Sequence, residues 1–285
     1  MSTLQKAMTL FTIMQEASFM SDSSNNTPNV ALSILVVDDD ELNQRMMRLL
    51  LKRDGHMVEC VSNGLEALNA VMTQSFDMVL MDLQMPVMDG VEASRRIREW
   101  ESDGGHTFIV ALTASYLPEK GRELFEAGID NYMSKPFDVA HLRHILQYGL
   151  ENRKAQEASS ASQPEAAILA GGQEFDHQIG VQRVGGDVEI YKELLNDFVQ
   201  ELPRKLENMR SCYVKKDLEG LYRAAHNLKG VSANLGALQL SEHARRLEKQ
   251  VGESYTDRIE SMINDITTTS DKLKENATIF LSSRD

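Results

Sequence analysis

Between Ser33 and Leu150 short apolar runs of strand length alternate with stretches in which apolar residues recur every three to four positions, and few folds satisfy that alternation. ILVV (34–37), MVECV (57–61), MVLM (78–81), FIVAL (108–112) and NYMS (131–134) read as strands. The first has no polar interruption, as a central parallel strand buried on both faces requires. Helical spacing follows each of them. Leu42, Met46, Leu49 and Leu50 lead to a stop at Asp54-Gly55, and further helices are predicted over 65–73, 91–100, 118–127 and 139–150, with Gly128 closing the fourth. Five such units with short connections predict an α/β, doubly wound five-stranded parallel sheet.

A parallel sheet points all its strand C-termini at one edge, and there these strands carry reactive residue types. Asp38 and Asp39 follow the first strand, Asp82 closes the third, Thr113 follows the fourth and Lys135 the fifth. Around Asp82 the stretch VLMDLQMPVMDG turns sharply through its Met-Pro and Asp-Gly pairs. Three crowded carboxylates either take up a proton or recruit a cation, and all-oxygen ligation points to Mg2+ rather than zinc. DDDELN lacks the glycine at the sixth position of an EF-hand loop. With a cation bound, Asp82 could act as a nucleophile toward a phosphoryl group that the Thr113 hydroxyl and the Lys135 ammonium also contact.

VVDDD, MDLQMPVMDG, ALTA and Lys135-Pro136 stand in the order and at the spacing of a two-component receiver domain, and residues 33–150 resemble that family. The resemblance implies a flavodoxin-like fold with Asp82 as phosphoacceptor, Asp39 as a direct metal ligand and Asp38 assisting through water. It further implies the Gln84 backbone carbonyl as a ligand, Thr113 and Lys135 as the pair that senses the phosphoryl group, Tyr132 as the aromatic switch, and a cis bond before Pro136.

From residue 151 to about 174 the composition shifts to Ala, Ser, Gln and Glu and ends in Gly171-Gly172, which is linker chemistry. As a flexible coil that linker has an r.m.s. span of roughly 25 to 30 Å, enough for one domain to reach round the other. Beyond it the strand signature disappears. Helices are predicted over 188–214, with Pro203 a kink or boundary, and over 218–235, 238–249 and 256–280, which together predict a four-helix bundle spanning 175–282. In the second helix Leu218, Leu221, Ala225, Leu228, Ser232 and Leu235 form the inward stripe. His226, about 100° round from Ala225, is predicted to be exposed with Tyr222, Arg223, Lys229 and Gly230. A mid-helix Gly230 costs about 1 kcal/mol relative to Ala, so a steric purpose is expected, such as room for a docking partner.

AHNLKGVSANLGA (225–237), with FDHQIGVQRVGGD (175–187) before it, resembles the phosphorylated helix of histidine phosphotransfer domains. That resemblance implies phosphohistidine at His226, steadied by Lys229, and a docking surface shaped by Asn227 and Gly230. His141, His144 and His243 read as surface residues.

A net charge of −13 over 285 residues, without a basic cluster, argues against nucleic-acid binding. Cys60 and Cys212 form no metal or redox motif, which suits a reducing, cytoplasmic setting. The apolar stretch 8–20 contains Gln15 and Glu16 and falls short of the roughly 20 residues of a membrane span. Residues 1–32 therefore read as a disordered or helical leader, without membrane insertion. No ATP-binding kinase signature or P-loop is evident, so the chain is expected to relay phosphate without generating it from ATP, its own chemistry being self-phosphorylation and slow acyl-phosphate hydrolysis. The expected partners are a sensor histidine kinase upstream, donating to Asp82, and a response regulator receiver downstream, accepting from His226. A phosphate sink and a phosphorylation-gated binding module are alternatives at this stage.

Overall fold

β1 (Ser33–Val37) is flanked by β2 (Met57–Val61) and β3 (Met78–Asp82), and β4 (Phe108–Thr113) and β5 (Asn131–Ser134) complete a five-stranded sheet in the order β2-β1-β3-β4-β5. Every pairing is parallel. The computed structural model describes residues 30–101, 105–113, 121–154, 175–253 and 258–282. The leader up to residue 29, the linker from 155 to 174 and residues 114–120 lie outside them.

β3 is buried along its whole length because helices cover both faces of the sheet, whereas the edge strand β2 is only partly covered. One face carries α1 (Glu41–Arg53) and α5 (Val139–Lys154), the other α2 (Gly64–Thr73), α3 (Gly90–Trp100) and α4 (Gly121–Glu126), each face with its own apolar core. Asp40 starts α1 by accepting from the backbone N–H groups of Leu42 and Asn43. Asp89 starts α3 in the same way through Glu92 N–H. A Cβ on Gly90 would lie 2.1 Å from the Asp82 carbonyl oxygen, so glycine is what lets α3 begin against the end of β3.

The C-terminal half is helical: a short α6 (His177–Arg183), then α7 (Val188–Lys215), α8 (Leu218–Asn234), α9 (Leu238–Glu253) and α10 (Arg258–Ser282). Each of the four long helices packs on two others, α7 on α8, α8 on α9, α9 on α10 and α10 on α7, which closes a bundle. Gly236, at a φ of 75°, makes the turn between α8 and α9 where a side chain would strike the Asp176 carbonyl.

Several differences from the sequence reading have physical causes. β3 and β4 extend to Asp82 and Thr113, so those residues are the last rung of the ladder rather than the first of a loop. Pro203 lies within one continuous helix: its missing N–H costs roughly 3 kcal/mol, and the buried stripe Leu194, Phe198, Leu202, Leu206 and Met209 holds the helix together across it. Leu218 is exposed, and Val231 takes its place in the stripe. Leu32, read as leader, is buried, and its N–H donates to His56 Nδ1. α6 was not foreseen.

Candidate functional site

The strand ends assemble as the topology requires. Lys135 Nζ lies 2.7 Å from Asp38 Oδ2 and 2.6 Å from Asp82 Oδ2. The second oxygen of each carboxylate is also held: Asp38 Oδ1 accepts from Asp40 N–H at 2.9 Å and Asn43 Nδ2 at 3.2 Å, and Asp82 Oδ1 accepts from Gln84 N–H at 3.0 Å. Asp38 and Asp82 are 1 % and 2 % exposed, and Lys135 and Thr113 are buried beside them. The Lys135 N–H donates to the Thr113 carbonyl, and the Lys135-Pro136 bond is cis, as the receiver resemblance implied. Tyr132 is half-buried against the core on the α2–α3–α4 face.

Burial pushes the Asp38 carboxyl up to about 7, with Lys135 pulling it back down and Asp82 adding to the rise. Burial alone would lower the Lys135 ammonium, but Asp38 and Asp82 outweigh it and hold the group above the ordinary lysine range. Asp39 is raised by burial against the opposing hydrogen bond from Asn227. One oxygen from each of Asp38, Asp39 and Asp82 falls within 4.8 Å of the others, and Asp39 Oδ1 is buried without a hydrogen-bond partner. An orphaned carboxylate oxygen in an all-oxygen cluster fits a divalent cation, since nothing among the described residues satisfies it.

Across from this pocket stands α8, begun by Asp217 and packed through Leu221, Ala225, Leu228 and Val231. His226 is 5 % exposed, not exposed as its angular position predicts. Tyr222, whose ring stacks on it at 6.4 Å between centroids, and Glu248 of α9 lie against it. His226 Nδ1 is 2.6 Å from Glu248 Oε1, and Lys229 Nζ donates to Glu248 Oε2 at 2.6 Å. Burial would raise the Glu248 carboxyl, yet the hydrogen bonds from His226 and Lys229 hold it below the usual glutamate range. An ionised carboxylate only accepts, so the proton in that bond is on Nδ1, and in the neutral tautomer of that ring the lone pair is on Nε2. Glu248 was missed from sequence. The available signal was an acidic side chain directly beside the buried Leu247 on the inward margin of α9, where a carboxylate requires a partner.

The helical half sits against the strand-end edge. Asn227 Nδ2 donates to Asp39 Oδ2 at 3.1 Å, and Gln84 Nε2 donates to the Tyr222 hydroxyl at 3.4 Å. Asn234 Oδ1 accepts from Phe137 N–H at 2.9 Å, and Asn234 Nδ2 donates to Asn43 Oδ1 at 3.3 Å. From α7, Lys205 pairs with Asp40, and Arg45 of α1 pairs with Asp197 at 2.6 Å and with Glu193. Asn227 thus lies in the contact. Gly230 is buried, but a Cβ there would meet nothing within 4 Å, so the room anticipated at that position is not filled by the sheet domain. His243, read as surface, is half-buried with its Nδ1 3.1 Å from Thr269 Oγ1.

Comparison with known proteins gives two family matches, the response regulator receiver domain over residues 34–147 and the Hpt domain over residues 193–272. Among curated relatives, the sensor histidine kinase GacS of Pseudomonas protegens is 32 % identical over 219 residues, covering 75 % of this chain and 24 % of that protein. The aerobic respiration control sensor protein ArcB of Escherichia coli is 24 % identical over 247 residues, covering 85 % of this chain and 31 % of that one. The chain spans about a quarter to a third of the length of these relatives. A solved receiver domain of a Pseudomonas aeruginosa sensor histidine kinase, with a magnesium ion in its active site cleft, is 35 % identical with a TM-score of 0.40, covering 43 % of this chain and 99 % of that one. Among the described residues no helix is long and apolar enough to cross a membrane.

Proposed function

The chain belongs to the two-component phosphorelay proteins, with a receiver domain and an Hpt domain on one polypeptide, and from that premise we propose that it accepts a phosphoryl group on Asp82 from a sensor kinase phosphohistidine and passes it through His226 to a downstream response regulator. The observation that carries the reading is the Asn227–Asp39 hydrogen bond of 3.1 Å, which joins the residue next to His226 to the carboxylate cluster containing Asp82.

In the first step an Asp82 carboxylate oxygen attacks phosphorus, the donor's N–P bond breaks, and its electron pair returns to the donor imidazole. Lys135, 2.6 Å away, supplies fixed positive charge and Thr113 a hydroxyl for the phosphoryl oxygens. A magnesium ion held by Asp38, Asp39, Asp82 and the Gln84 carbonyl would neutralise the remaining phosphoryl charge. In the second step the His226 Nε2 lone pair attacks the acyl phosphate, and the O–P pair returns to the Asp82 carboxylate. The Nδ1–H remains bonded to Glu248, whose negative charge stabilises the cationic ring that forms. Lys229, already paired with Glu248, is one helical turn from His226 and near enough to exchange toward a phosphoryl oxygen. Tyr132 reports the phosphorylated state to the sheet surface.

The test is transfer from a radiolabelled, phosphorylated sensor kinase. Asp82→Ala abolishes labelling, while His226→Ala retains an alkali-labile acyl phosphate and labels no downstream receiver. Labelling of that receiver by the His226→Ala protein would overturn the relay.

A further inference from the structure

We propose that Asn227 is a positioning residue of the receiver's cation site, so that divalent-cation binding and docking of the Hpt domain reinforce each other. The inference rests on the reading that the carboxylate cluster holds a divalent cation.

Asp39 has two oxygens in different situations. Oδ2 accepts from Asn227 Nδ2 at 3.1 Å, across the domain boundary, and Oδ1 is buried with no partner. The bond to Oδ2 fixes the carboxylate plane and leaves Oδ1 as the oxygen offered to the cluster with Asp38 and Asp82. Asp38 and Asp82 obtain the equivalent restraint from their own domain, through Asn43 and the Asp40 N–H in one case and the Gln84 N–H in the other. Of the three, Asp39 is the one that takes a hydrogen bond from the Hpt domain among the described residues. The same domain also holds the next residue in the loop: Lys205 pairs with Asp40, which caps α1 with its other oxygen. Docking therefore orders two consecutive residues of the loop that supplies the ligands.

Hydrogen-bond partners of metal ligands change metal affinity by about 10- to 100-fold when removed. Thermodynamic reciprocity carries the consequence back: if docking tightens the cation, the cation tightens docking by the same factor. An Hpt domain that meets an unloaded receiver would be held less firmly than one that meets a loaded receiver.

The experiment is calorimetric titration of the full chain with MgCl2, together with small-angle scattering with and without the ion. Wild type binds Mg2+ saturably and becomes more compact, and Asn227→Ala binds about tenfold or more weakly and loses the compaction. Arg45→Glu, which touches none of the three carboxylates, opposes Glu193 and Asp197 with like charge and should expand the molecule and weaken Mg2+ as well. Asn227→Ala with an affinity within about twofold of wild type, or an expanded Arg45→Glu protein with full affinity, overturns the inference and leaves the cation site standing. Absence of saturable Mg2+ binding in wild type instead removes the cation reading itself.

Discussion

Glu248 fixes how the His226 ring is held. It takes Nδ1, so that in the proposed transfer Nε2 would be the nucleophile, and it ties Lys229 into the same group. Glu248→Gln keeps the shape but loses the charge-assisted bond of about 1.5–3 kcal/mol, so phosphotransfer to His226 should fall by about 10- to 100-fold with labelling of Asp82 unchanged, as rapid-quench assays would measure. The carboxyl is held below its unfolded value, so its contribution to stability is present above the unfolded pKa of about 4.3 and is lost as pH falls through the lower folded value. Thermal melts across the acid range should show that loss in wild type and not in Glu248→Gln. Lys135 presents the opposite case, a buried cation between two buried carboxylates. Lys135→Ala leaves them facing each other and should cost about 3–5 kcal/mol in urea denaturation, with Mg2+ restoring part of the loss. The carboxylates, Thr113 and Lys135 stood out because each lies at the end of a strand, and His226 stood out only through the resemblance of its helix to histidine phosphotransfer domains, since its angular position off the apolar stripe predicts exposure. Glu248 was harder to see, because its partner is 22 residues away on another helix and the only local sign is its place beside the buried Leu247 on the inward margin of α9.

At the level of elements, local chemistry that agreed with packing was legible and chemistry that packing overrode was not. β1 and β3 are continuous apolar runs, and their burial on both faces follows from that alone. Helix starts at Asp40, Asn63 and Asp89 are each written as a side chain that caps its own backbone. Pro203 does not end the helix, since a proline cannot report how much apolar surface lies on either side of it. The seven residues of α6 are too few for a helical period to emerge from the sequence. Gly90 shows the reverse, a backbone requirement hidden in a residue that reads only as a turn. Gly90→Ala forces a Cβ into the Asp82 carbonyl, 2.1 Å away, and should destabilise the receiver by about 1–3 kcal/mol. The same change displaces Asp82, so labelling by the kinase should fall more steeply than stability. If stability falls and labelling of the remaining folded protein is normal, α3 does not set the position of the acceptor.

For the whole molecule, the question is how firmly the two domains hold each other. The contacts divide by exposure. Lys205 with Asp40 is mostly buried, whereas Arg45 and Glu193 are 43 % and 48 % exposed. Exposed pairs are worth about 0–1 kcal/mol and are screened over a Debye length of about 8 Å at physiological ionic strength, so the Arg45 cluster supplies a modest, salt-sensitive part of docking. The hydrogen bonds that Asn227, Tyr222 and Asn234 make across the boundary are short-ranged and set register instead. A contact of this kind suits the proposed relay, in which His226 would face Asp82 for one transfer and then be released to meet a different receiver. The expected signature is a first-order Asp82-to-His226 transfer, independent of protein concentration, that slows as NaCl is raised from low salt to about 0.5 M. Arg45→Ala should bring the low-salt rate down toward the high-salt value. A rate that rises in proportion to protein concentration would place the transfer between molecules, and the docked arrangement would then serve to occupy the receiver rather than to discharge it.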